Sequence, residues 1–143
     1  MGKAIVVCAT RTGETQKIGE LIGEGIRIAG HEAKVVKVTE IKSEKDLMGY
    51  DAVVFGSPTY HGEMVQGMKT VLFLAEKAEL QGKPGGAFGA FGWSGEAPDR
   101  IYNTMTNIFK MDMTKSPLRL KASYLEGGIP MAHDYGKEIA EKM

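Results

Sequence analysis

The chain predicts an open, doubly wound five-stranded parallel α/β sheet, strand order 2-1-3-4-5, with helices on both faces. Three observations carry that expectation. Apolar segments and helical patterns alternate from one end of the chain to the other. Two of the apolar segments, Ala4–Ala9 and Ala52–Gly56, are apolar throughout instead of at every second position, as strands buried on both faces are. The first, third and fourth segments each give way to a loop rich in glycine and hydroxyls. Such sheets bind ligands outside the carboxyl ends of their strands, where the strand order reverses.

The elements follow in order. Lys3–Ala9 is the first strand. A helix from Thr15 to Ala29 carries Ile18, Leu21, Ile22, Gly25, Ile26 and Ala29 at helical spacing, and Gly30 stops it. Glu32–Val38 is the second strand, and Ser43–Met48 a short helix with Ser43 placed to cap it. The third strand, Ala52–Gly56, stops at Ser57-Pro58. The helix after it turns Met64, Met68, Val71, Leu72 and Ala75 inward. Gln81-Gly82-Lys83-Pro84 is a turn. The fourth strand, Gly85–Phe91, is rich in small residues, the pattern of a strand whose backbone something approaches closely. A helix over Asp99–Met111 buries Ile101, Met105, Ile108 and Phe109. Leu118–Leu125 is the fifth strand. Ala132–Met143 closes the chain as a helix, with Tyr135, Ile139, Ala140 and Met143 on one side. The nine methionines fall mostly on helix core faces, where packing explains them.

Composition narrows the function. A length of 143 residues is that of one domain, expected over residues 1–143. The formal net charge is zero and no segment gathers Lys and Arg, which argues against nucleic acid, whose binding rests on neutralising phosphates. No apolar run approaches a membrane span, so membrane insertion is not expected. The single cysteine, Cys8, excludes an internal disulfide framework and, inside a buried strand, reads as an inert small hydrophobe. The expected location is the cytoplasm.

The three loops hold the chemistry. The first, Thr10-Arg11-Thr12-Gly13-Glu14-Thr15, links a buried strand directly to a helix. A helix start offers free backbone N–H groups and the positive end of its dipole, and the threonine hydroxyls add neutral donors, so the loop suits a phosphate. The plainer reading of Thr12, Gly13 and Thr15 is a tight turn and a helix cap. Arg11 either pairs with the phosphate or sits in solvent beside Glu14. The second loop runs Ser57-Pro58-Thr59-Tyr60-His61-Gly62-Glu63-Met64, and the third Phe91-Gly92-Trp93-Ser94-Gly95-Glu96-Ala97-Pro98. Each carries a large aromatic, and Trp93 is the only tryptophan. Donors in one loop and aromatics in two others suit a flat ring with a phosphate tail, since aromatic stacking adds about 0.5–1.5 kcal/mol beyond area burial. Tyr60 and Trp93 either stack on that ring or pack into the core.

Residues Thr10 to Thr15 match the phosphate pattern T/S-x-T-G-x-T, and the whole chain resembles a short-chain flavodoxin. Gly56-Ser57-Pro58-Thr59-Tyr60 and Phe91-Gly92-Trp93-Ser94-Gly95-Glu96 are most similar to the FMN loops of the flavodoxin domain in flavodiiron (A-type) flavoproteins. The resemblance implies a flavodoxin-like fold, bound FMN, and low-potential one-electron shuttling between redox protein donors and acceptors, without catalytic residues. It implies cofactor contacts from Thr10, Arg11, Thr12, Gly13, Glu14, Thr15, Ser57, Pro58, Thr59, Tyr60, His61, Gly62, Phe91, Gly92, Trp93, Ser94 and Gly95. It also implies a monomer or weak dimer. His61 precedes Gly62 where many members have glycine first, so a backbone flip there is either weaker or displaced by one peptide. Protonation of His61 coupled to flavin reduction is the further reading of that position. Glu63, Glu96 and Asp99 are the carboxylates whose charge would disfavour an anionic reduced flavin and lower its potential. His31, His61 and His133 have no metal-ligand spacing.

Two rivals are weighed. An FMN-dependent NAD(P)H:quinone oxidoreductase shares the fold and matches Gly56–Met64 loosely, yet between Phe91 and Leu118 there is room only for a loop and one helix. A receiver-type phosphoacceptor needs carboxylates where this chain has Cys8-Ala9-Thr10 and Ser57-Pro58-Thr59. The dinucleotide pattern G-x-G-x-x-G and a Walker A lysine are absent after the first strand.

Overall fold

The computed structural model describes residues 2–9, 13–60, 63–90, 96–120 and 127–143, with Tyr60 described by its backbone alone. Strands β1 (Lys3–Cys8), β2 (Glu32–Lys37), β3 (Ala52–Gly56) and β6 (Pro84–Ala90) form a parallel sheet in the order β2-β1-β3-β6. The fifth position is shared. Strand β7 (Asp112–Met113) pairs with Pro84-Gly85, and β8 (Leu118–Leu120) pairs with Phe88–Ala90. The order is the expected 2-1-3-4-5, with the last strand in two pieces. Residues 121–125 of the expected fifth strand lie outside the described residues.

The continuous apolar character of β1 and β3 follows from burial on both faces. Alternate residues of β1 point to opposite sides. Ile5, Val7 and Ala9 join one core with helices α2 (Gln66–Ala75) and α3 (Glu96–Asn107). Ala4, Val6 and Cys8 join the other with α1 (Glu14–Ile28) and α4 (Gly128–Glu141). Between β2 and β3 stand two short 3-10 turns, Val38–Glu40 and Glu44–Leu47. The second is capped as expected: Ser43 is its N-cap, and the Asp46 carboxylate accepts the Ser43 N–H at 3.2 Å.

Several boundaries differ from expectation for identifiable reasons. Met64 does not begin a helix. It lies in β5 (Glu63–Met64), which pairs antiparallel with β4 (Thr59–Tyr60), and it still reaches the α2 core. Helix α3 starts three residues early because Pro98 falls in its first turn, where its missing N–H costs nothing. Pro130 allows the same in α4, which starts at Gly128 instead of Ala132. The α3 helix stops at Asn107, and Ile108 is 59% exposed instead of buried. Ala29 is exposed as well. Of the methionines, Met68 and Met105 are buried on helices, Met64 and Met111 are buried outside them, and Met48 and Met131 are exposed. The small residues of β6 are there for the protein's own contacts. A Cβ on Gly86 would meet Ile139 and Tyr135, and one on Gly89 would lie 2.1 Å from the Ser57 carbonyl oxygen.

Candidate functional site

Register brings three strand ends level. Cys8 pairs with Gly56, and Gly56 with Phe88. Two further hydrogen bonds carry the pairing past the strands, Ala9 N–H to Gly56 O at 2.9 Å and Ser57 N–H to Phe88 O at 3.1 Å. The loops after β1, β3 and β6 therefore leave side by side from adjacent strands, each spaced by about 4.8 Å.

The first loop ends at Gly13, the N-cap of α1, whose φ of 92° is a left-handed conformation that glycine adopts without strain. Glycine supplies no side chain to occupy the helix end, so the first-turn amides of Thr15 and Gln16 face outward along the axis. Thr15 is buried, and its Oγ1 accepts the Ala90 N–H at 3.4 Å, fastening the helix start to the end of β6. Glu14 faces Lys17 at 4.0 Å. This end of α1 is a neutral donor set of the kind that holds a phosphate.

The second loop is braced by its own hydroxyls. Ser57, fully buried, donates to Pro58 O at 2.9 Å and accepts the Val65 N–H at 3.1 Å, closing the base of the loop. Thr59 Oγ1 accepts the Ala97 N–H at 2.9 Å, which ties β4 to the first turn of α3. Pro58 and Thr59 are half-buried. Glu63 is ion-paired twice, to Arg100 at 3.6 Å and Lys69 at 3.9 Å, and Asp99 faces Arg119 at 3.4 Å. These cations offset the charge that the two carboxylates would exert on a neighbouring ring. Burial pushes the Cys8 thiol up to about 12, with the Glu20 charge adding to the effect, so Cys8 is the inert residue its strand position implies. Thr10, Arg11, Thr12, His61, Gly62, Phe91, Gly92, Trp93, Ser94 and Gly95 lie outside the described residues, as does the side chain of Tyr60. What the sequence reading missed is the bracing role of Ser57 and Thr59. A hydroxyl beside Pro58 and an amide 38 residues away give no local signal.

The Flavodoxin family model matches residues 6–121. The chain belongs to the flavodoxin family. A flavodoxin structure from the domain Archaea is 32% identical, with a TM-score of 0.91, and the match covers 98% of this chain and 97% of that one. A flavodoxin of Aquifex aeolicus is 38% identical over 100 residues, 66% of this chain and 54% of that protein. The type A flavoprotein fprA of Rhodobacter capsulatus is 31% identical over 93 residues, 65% of this chain and 21% of that protein. The chain spans 21% to 36% of the length of the first curated relatives it matches, and oxidoreductases are among its relatives. Flavodoxins bind FMN, and the donor set at the start of α1 in this chain fits that phosphate. Among the described residues no helix is long and apolar enough to cross a membrane.

Proposed function

We propose that residues 1–143 form a single FMN-binding domain that carries single electrons at low potential between redox proteins. The observation that carries this reading is the level exit of the phosphate-type loop and the two aromatic-bearing loops from adjacent parallel strands. The amides and hydroxyls from Thr10 to Thr15 hold the phosphate, with Arg11 at its edge. Tyr60 and Trp93 flank the ring, and Ser57 to Gly62 and Phe91 to Gly95 line it. Ser57 and Thr59 contribute backbone, because their hydroxyls are engaged inside the fold. The flavin, when bound, supplies the electron chemistry. The protein's part is to bind the reduced and oxidised forms unequally, and about 1.4 kcal/mol of difference shifts a one-electron potential by about 59 mV. Its working compartment is the cytoplasm, and it acts as a monomer or weak dimer.

The test is the visible spectrum of the purified protein followed through stepwise anaerobic reduction. Bound flavin taking up electrons in two separate one-electron steps supports the carrier. A single two-electron step, with steady NADH oxidation in the presence of a quinone, shifts the assignment to an NAD(P)H:quinone oxidoreductase, the activity for which the described chain between β6 and β7 offers only helix α3 as a platform. Absence of flavin after FMN addition overturns both.

A further inference from the structure

Resting on the FMN reading above, we infer that Thr59 is a positioning residue whose hydroxyl sets the second loop against the third. The amide of Ala97 is in the first turn of α3, where no intrahelical acceptor exists. Its acceptor comes from Thr59, 38 residues earlier in the chain, at 2.9 Å. Ala97 itself is fully buried, so without Thr59 this N–H has no water to turn to. Ala97 belongs to the third loop as the sequence defines it, Phe91–Pro98, so the bond joins the second loop to the described end of the third.

A second strut acts on the other strand of the hairpin. Tyr60 pairs with Glu63, and the Glu63 carboxylate reaches Arg100 on α3 and Lys69 on α2. A hairpin with two residues in each strand does not hold its shape alone. Among the described residues it is held by Ser57 at the base, by Thr59 to the first turn of α3, and by Glu63 to Arg100 and Lys69. Thr59 and Ala97, 38 residues apart in sequence, thus give the two loops one anchor. The consequence is expected at the ring end of the ligand, because the joint lies between the second and third loops.

The experiment compares the full chain with Thr59→Val and Thr59→Ser, measuring Kd for FMN and for riboflavin, the visible circular dichroism of the bound flavin, and the Tm of the apoprotein. Thr59→Val keeps the shape and removes the acceptor. The expected result is a loss of about tenfold in affinity, by the same factor for FMN and riboflavin, with an altered dichroism band and recovery of both in Thr59→Ser. A lowered apoprotein Tm with unchanged affinity and dichroism overturns the inference and leaves Thr59 a helix cap. Loss of FMN binding with riboflavin binding intact also overturns it, because the hydroxyl then serves the phosphate. Should Thr59→Val fail to fold, Glu63→Gln tests the second strut. Weakening by about twofold to threefold for both ligands supports the joint, and unchanged affinities overturn it. A wild-type protein that binds neither ligand instead defeats the FMN reading itself.

Discussion

Gly89 has no space for a side chain. A Cβ there would sit 2.1 Å from the Ser57 carbonyl oxygen and 2.9 Å from Pro98 Cγ, and the first of these is backbone that cannot rotate away. Gly89→Ala is expected to cost about 2 kcal/mol or more in urea unfolding and to displace the second loop. Cys8 makes the opposite kind of prediction. Its thiol is pushed from the ordinary 9.0 up to about 12 by burial first and the Glu20 charge second, so a thiol reagent at pH 8 should modify it only when the chain unfolds. The raised folded value fixes the sign of the linkage. The contribution is complete below pH 9 and is lost as pH rises from 9 toward 12, where the unfolded chain gives up a proton that the folded one keeps. Tyr135 is raised in the same direction by burial. A denaturation series from pH 7 to about pH 11 should therefore show stability falling on the alkaline side.

At the scale of elements, the informative feature is the gap in the fifth strand. Between β7 and β8 the chain leaves β6 after Thr114, whose N–H still reaches the Gly85 carbonyl at 3.1 Å, and Ala87, paired with Phe55 of β3 on its other side, has no strand partner on this side among the described residues. The Tyr135 hydroxyl from α4 fills that gap, accepting the Ala87 N–H and facing the Ala87 carbonyl, both at 3.0 Å, with Thr114 Oγ1 at 2.7 Å. The segment is steadied from outside by Tyr102, whose hydroxyl donates to Thr114 O, and by the Lys115 N–H on Glu138 at 2.8 Å. Tyr135→Phe keeps the ring in its core and strips a buried amide and carbonyl of their partner. The expected loss is about 2–3 kcal/mol by chemical denaturation, larger than the same substitution at Tyr50, whose hydroxyl makes no hydrogen bond among the described residues. The helical spacing of the last segment placed Tyr135 on the inner face correctly, but no pattern in a sequence announces that its oxygen completes a sheet edge. Strand β7 was likewise illegible, since two residues present no periodicity.

The whole molecule carries as many positive as negative charges, and near the ring loops Glu63 and Asp99 face cations. Long-range attraction between this surface and a charged partner is correspondingly small. The second-order rate of electron transfer to a basic redox protein should change by no more than about threefold between about 20 mM and 500 mM salt, where steered association falls steeply. Stopped-flow rates across that range decide it. Much of this architecture was already written in the chain. Continuous apolar runs determined which strands lie inside, helical spacing determined the inward faces of α1, α2 and α4, and the Thr10–Thr15 pattern with two aromatic-bearing loops determined the family and its cofactor. Those are local signals, carried by neighbours a few residues apart. The tertiary structure alone decided that the glycines of β6 make room for Tyr135 and the Ser57 carbonyl, that the last strand divides around a tyrosine hydroxyl, and that Thr59 braces its loop against α3. Each of these depends on a partner tens of residues away, brought into contact only when the sheet closes, and hydrogen bonds at that distance leave no periodic trace in the order of amino acids.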